Sequence, residues 1–206
     1  YNSFVPIFLK RFIKGETLIG LIMTFDNIAA ITLQPYFGAM SDNVNSRYGH
    51  RMPFLMIGIP IAAIFFALIP FANKFWVLLT FIIIMNLSMS VFRSPAIALM
   101  PDFTPPILRS KANGVINLMG GLGAVLTYLI GSMLYDINPV IPFVLFAFLM
   151  IIVLVLFLNG LREPVRNKKE KRINITEIVK NVFASHDKKV LFVLLAIFFW
   201  FFGFSG

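Results

Sequence analysis

The chain has 206 residues, of which 59% are hydrophobic and 13% charged, with a formal net charge of +9 and no cysteine. Soluble domains carry about 25% charged residues, so this composition excludes an ordinary soluble globular domain. The lack of cysteine excludes disulfides and thiolate metal sites, and the basic residues fall almost entirely in loops between apolar runs, as membrane-orientation signals do rather than as a nucleic-acid surface does.

Tyr1 to Leu9 reads as the tail of a membrane-spanning helix, so the chain is expected to be a piece of a longer protein. A short polar loop, 10–16, follows. Complete spans are expected at 18–40, 53–71, 75–100, 111–134 and 140–158, each near the about 20 apolar residues that cross a bilayer. Pro53 suits the first turn of its helix, where a missing N–H is harmless. Pro105-Pro106 prevents continuation of the 75–100 span, and Pro35, Pro60 and Pro95 are expected to bend theirs. The longest polar stretch is 161–189, and Val190 begins a further apolar run. Within that stretch Asn174 and Glu177 resemble a capping box. Ile175, Ile178, Val179, Val182 and Phe183 then recur at helical spacing, which predicts a helix lying on the membrane surface.

Alternation of spans divides the loops into two sets. Loops 41–52, 101–111 and 161–189 hold thirteen Lys and Arg, and the opposite set holds four: Lys10, Arg11, Lys14 and Lys74. The positive-inside rule places the first set in the cytoplasm.

Arg93 lies inside an apolar run, where a charge costs at least roughly 2.5–3.5 kcal/mol and usually faces a bundle interior or a watery cavity. It shares a stripe with Asn86 and Ser90. Thr24, Asn27, Ile31 and Gln34 form a stripe on the 18–40 span, with Asp26 about 100° around from Asn27. Asn113, Asn117, Gly121 and Tyr128 form a third. Three polar stripes are what a water-filled path requires, although Asn and Gln also serve as plain interhelical glue. Asp26 is the acidic candidate deep within a span, as proton carrier or as ion-pair partner of Arg93. Gly114, Gly120, Gly121, Gly123 and Gly131 are expected to let the 111–134 helix pack closely. There is no His-Glu-x-x-His, no Gly-x-Ser-x-Gly and no cluster of metal ligands, which argues against an intramembrane enzyme, a metal site or any cofactor.

The loop after the first complete span reads Gly38-Ala39-Met40-Ser41-Asp42, then Arg47-Tyr48-Gly49-His50-Arg51. It resembles the cytoplasmic signature of the major facilitator superfamily. The stretch between Asp42 and Arg47 resembles the glycoside–pentoside–hexuronide:cation symporters and the sucrose/proton symporters. Leu33-Gln34-Pro35 is similar to a Val-Gln-Pro of plant sucrose symporters. The segment from Ser94-Pro95-Ala96 through Pro101-Asp102-Phe103, with Arg109-Ser110-Lys111-Ala112-Asn113, is similar to another of their segments.

The resemblance implies an all-α polytopic membrane protein: the N-terminal six-helix half of a major facilitator fold, truncated in helix 1, plus the start of helix 7. The implied domains are a bundle over 1–160, a central cytoplasmic loop over 161–189, and the start of a second bundle over 190–206. The implied activity is symport of a sugar or glycoside with a cation by alternating access in the cell membrane. A drug or metabolite exporter of the same superfamily is the alternative, and a non-transporting scaffold or sensor is a further one. The acidic cation ligands of the melibiose-type branch fall here on Ala30, Gln34 and Arg93, which favours a proton over sodium. The arginine that sucrose symporters carry in helix 4 falls on Ile97, one turn from Arg93. Gly38, Asp42, Arg47, Gly49, Arg51, Asp102 and Arg109 are the implied cytoplasmic gating residues. Asp42 and Asp102 stand at helix C-termini, where a carboxylate is disfavoured and needs Arg47, Arg51, Arg109 or Lys111; the resemblance implies a gating role for Asp42 with Arg51. His50 stands where an arginine is usual.

Overall fold

In a computed structural model, the structure describes residues 5–13, 15–44 and 46–160, with 25–31 described by backbone alone. The chain divides into two compact units, 1–165 and 166–206. The second unit lies outside the described residues, as do the expected surface helix and the run from Val190. The described residues form six α-helices and no strand: α1 (Val5–Leu9), α2 (Glu16–Ser41), α3 (Met52–Leu68), α4 (Phe75–Phe103), α5 (Arg109–Ile137) and α6 (Val140–Gly160). Among the described residues, four segments are long and apolar enough to cross a membrane: Met52–Phe71, Phe75–Phe103, Pro106–Ile137 and Val140–Gly160. The 26 residues of α2 extend about 39 Å at 1.5 Å each.

Local chemistry sets the breaks. Pro53 stands in the first turn of α3, and a 3-10 turn over Ile69–Phe71 carries Pro70 at the other end. The fourth helix runs through Pro95 and Pro101 and stops at Phe103, three residues beyond the expected end. An internal proline forfeits one N–H bond, which a membrane helix tolerates where neighbours support it. The stop comes from Pro105, which drives the preceding Thr104 into extended backbone, φ −112° and ψ 125°. Pro139 acts likewise on Asn138, φ −159° and ψ 123°. Asn138 then starts α6: its Oδ1 accepts a hydrogen bond from the Val140 N–H at 2.9 Å, satisfying a donor that the helix start leaves open.

The third helix packs on α4 and α6, and α2 packs on α4. The main core gathers Val5, Phe8 and Leu9 of α1 with Ile19, Ala62, Leu78, Ile82, Met85 and Phe143. Phe8 meets the Phe143 ring edge-on at 5.3 Å, and Phe66 lies 4.9 Å from the same ring. A smaller cluster of Leu55, Leu99 and Leu154 ties α3, α4 and α6 near their other ends.

Two glycines permit the closest helix approaches. A Cβ on Gly38 would lie 2.5 Å from Ser94 Oγ, and one on Gly58 would lie 2.8 Å from Phe92 Cβ and 3.1 Å from the Ser88 carbonyl. The glycines of α5 behave differently from expectation. Gly131 is buried, but a Cβ on Gly114, Gly120, Gly121 or Gly123 would meet nothing within 4 Å. The reason is that α5 touches this bundle mainly along one edge, on α6 and α4.

Candidate functional site: a charged lock and an open arginine

The residues that end α2 and α4 and begin α3 meet at one end of the bundle. Arg51, at the N-cap of α3, reaches both implied carboxylates. Its Nη2 lies 3.0 Å from Asp42 Oδ1 and its Nε lies 2.7 Å from Asp102 Oδ2. The Arg51 side chain is 8% exposed, against 45% for Asp42 and 28% for Asp102, so the cation is the buried member.

Each of the three charges opposes its own helix end. Asp42 caps the C-terminus of α2, and Asp102 sits in the last turn of α4, where the dipole is negative. Arg51 sits at the N-terminus of α3, where the dipole is positive. None is stabilised by its own helix, and the arrangement holds because the three lie together.

The intervening loop is built to present Arg51. Ser41 Oγ donates to the Gly38 carbonyl at 2.7 Å and Asn43 Nδ2 to the Ala39 carbonyl at 2.8 Å, closing the end of α2. Gly49 adopts φ 116°, a conformation that side chains disfavour. His50 donates through Nδ1 to the Val44 carbonyl.

Among the four cations within reach in sequence, three make no ion pair among the described residues. Arg47 lies over the Tyr48 ring, 5.0 Å from its centroid. Arg109 donates to backbone instead of to Asp102, through Nε to the Thr104 carbonyl at 3.4 Å and through Nη2 to the Pro101 carbonyl at 3.3 Å. It closes the C-terminus of α4 across the proline break, because it follows that break at once. Lys111 also makes none.

The membrane-depth positions separate. Asn86 and Ser90 are buried, and Ser90 Oγ donates to the Asn86 carbonyl at 3.0 Å. Arg93 is exposed and Gln34 half-buried. Asn117 and Tyr128 of α5 are exposed. Asp26 and Asn27 lie within α2, and their side chains are outside the described residues. Ser94, which receives Gly38, is a contact that sequence reasoning missed; the glycine of the loop signature was its available signal. Among the described residues, no group of acidic and histidine side chains is arranged to hold a metal ion.

These features define a helical membrane protein whose helix ends are held by a buried cation between two carboxylates. The Major Facilitator Superfamily model matches residues 1–206, and the chain belongs to that superfamily. It is 27% identical over 199 residues to the class H tetracycline resistance protein of Pasteurella multocida, covering 95% of this chain and 47% of the relative. It is 29% identical over 147 residues to proton-associated sugar transporter A of Mus musculus, covering 64% of this chain and 19% of the relative. It is 28% identical over 127 residues to the sucrose transport protein SUC3 of Arabidopsis thaliana, covering 51% and 21%. The chain thus spans half or less of the length of these relatives. No solved structure gives a significant match.

Proposed function

We propose that this chain is part of a secondary active transporter that moves a sugar or glycoside together with a proton by alternating access. The observation that carries the reading is Arg51 held between Asp42 and Asp102. Removing one partner of a buried pair costs about 3–5 kcal/mol, so such a cluster favours one arrangement of the ends of α2, α3 and α4. It yields when the helices rock about a midplane site. The charge asymmetry of the loops supports a cytoplasmic position for this lock, with 41–52, 101–111 and 161–189 proposed on that side. A bundle over 1–160, a central loop over 161–189 and a further bundle beginning at 190 complete the proposed layout.

Support for sugar comes from the printed names of two relatives, a proton-associated sugar transporter and a sucrose transport protein. Arg93, Gln34, Asn117 and Tyr128 are the proposed pathway residues, joined by Asn86 and by Asn27 of α2. Asp26 is the proposed proton carrier. A second reading is export, favoured by the resemblance to a tetracycline resistance protein over 95% of this chain.

The test is uptake of labelled disaccharides by the whole protein in vesicles, with and without an imposed proton gradient. Accumulation that a protonophore collapses supports symport. Extrusion of a drug in the same vesicles, with no sugar uptake, supports the export reading instead.

A further inference from the structure

Two sides of α5 differ in chemistry. Counted from Lys111 at 100° per residue, Asn117, Gly120, Ala124 and Gly131 fall at about 180–240°, and each is small or polar. Gly131 is the buried residue of α5. Tyr135, four residues on, meets Phe8 of α1 edge-on at 6.4 Å. This side therefore turns toward the bundle. Val115, Leu118, Leu122, Val125 and Leu129 fall within about 40° of Lys111, on the opposite side, and all five are exposed.

Helix-to-helix surfaces in a membrane favour small and polar residues, whereas a side that meets lipid carries large apolar ones. The second side of α5 is of the lipid kind. It ends in a charge each way, Lys111 and Asp136, which lie on one line of the helix, within about 20° of each other and about 38 Å apart. A bilayer has a core of about 30 Å and a full thickness of about 40–45 Å, so this spacing sets both charges in the headgroup layers. Both are exposed. At the Lys111 end the carboxylates among the described residues are Asp42 and Asp102, and Arg51 takes both. Lys111 makes no ion pair among the described residues. Arg109 lies about 160° around from Lys111 and spends its donors on the Thr104 and Pro101 carbonyls.

We propose that the Lys111 side of α5 is a binding surface for an anionic phospholipid, whose headgroup meets Lys111 and whose acyl chain lies along Val115, Leu118 and Leu122. From Lys111 to Leu122 is about 16 Å along the axis, close to half the hydrocarbon core. The lysine stem lies on this apolar surface while its ammonium stays among the headgroups. A compact charge on a flexible stem suits one anionic group, and the phosphate of a lipid accepts its charge-assisted hydrogen bond. A zwitterionic lipid also brings a phosphate, but its own cation offsets the attraction. An anionic lipid keeps a net negative charge, and one lysine at the surface is then worth about 1 kcal/mol, or about fivefold in binding. This surface is independent of the transport reading above.

The test is fluorescence quenching in the whole protein, reconstituted in vesicles. Leu118→Cys carries the fluorophore, since these 206 residues have no cysteine, and any cysteine outside them is replaced by serine. The quenchers are brominated phosphatidylglycerol and brominated phosphatidylcholine, each titrated into ordinary phosphatidylcholine. The expected result is that both quench and that the glycerol lipid binds about fivefold more tightly. Lys111→Gln should bring the ratio close to one, and Lys111→Arg should keep it. Arg109→Gln, on the other side of the helix, should also keep it. Unchanged quenching by the choline lipid in each variant checks that the fold is intact. Quenching by neither lipid means that protein covers the stripe, a further part of the same chain or a second copy, and overturns the proposal. A ratio near one in the unsubstituted protein, or a preference that survives Lys111→Gln, also overturns it. Loss of the preference on adding sn-glycerol 1-phosphate would assign Lys111 to a soluble phosphate and defeat the lipid surface.

Discussion

Asp102→Asn probes the lock most directly. The substitution keeps the shape of the side chain and removes the charge at the shorter contact, 2.7 Å from a guanidinium that is 8% exposed. Truncating one side of a fully buried pair costs about 3–5 kcal/mol. Asp102 is 28% exposed, so water recovers part of that, and about 2 kcal/mol remains. This corresponds to a shift on the order of 30-fold in the balance between closed and open helix ends. Asp42 makes the longer contact, 3.0 Å, and is 45% exposed. Asp42→Asn should therefore cost about 1 kcal/mol, nearer the range of exposed pairs. The chain has no cysteine, so Ile97→Cys, at an exposed position of α4, gives a clean reporter. Its labelling rate by a membrane-impermeant maleimide, added from the side of the lock, should rise strongly with Asp102→Asn and weakly with Asp42→Asn. Combining Asp102→Asn with Arg51→Gln should give far less than the sum, because both remove one interaction. An equal or reversed order of the two aspartates, or no change with either, would refute the reasoning.

Gly58→Ala should destabilise the protein by about 1–3 kcal/mol, read as a lower melting temperature in detergent. Its Cβ would strike Phe92 Cβ and the Ser88 carbonyl, neither of which can swing aside. Gly38→Ala should cost less, because it strikes only the Ser94 hydroxyl closely, and Ser94→Ala should restore most of the loss in the same assay. Gly49→Ala forces a side chain onto φ 116° and should cost about 1–3 kcal/mol; Gly49→Asn, better tolerated there, should lose less by the same measurement. Asn138→Ala removes the cap of α6 and should cost about 0.5–2 kcal/mol, visible as faster amide exchange at Val140.

The spans were legible because hydrophobic length and proline are local signals. The expected 53–71 corresponds to Met52–Leu68 with its 3-10 turn, and 140–158 to Val140–Gly160. The expected ends of the 75–100 and 111–134 spans each fall three residues short, at Phe103 and Ile137; the stop expected at Pro105-Pro106 acts through Thr104, which Pro105 holds extended. The family resemblance pointed to Asp42 with Arg51, but not to Arg51 as the partner of Asp102 as well. For Asp102 the spacing leaves Arg47, Arg51, Arg109 and Lys111 equivalent, and only packing decides that Arg51 lies between the ends of α2 and α4. The polar stripes were legible as periodicities, but a stripe does not say what covers it. Asn86 and Arg93 share a face of α4, yet one is buried and the other open. The glycines of α5 mislead for the same reason, since smallness permits close packing and supplies no partner.

Arg51 and its carboxylates also set an order of assembly. Asp42 is nine residues from Arg51, so this contact is available as soon as the α2–α3 hairpin has been made. Asp102 arrives only when the whole of α4 has followed. Until then the hairpin holds a cation with one of its two partners and a helix N-terminus that repels it. The early hairpin is thus an unfinished receptor for the tail of α4, and a fourth helix that slips by a turn is left with a stranded carboxylate. What ties the ends of α2, α3 and α4 together also proofreads the register in which these helices pack.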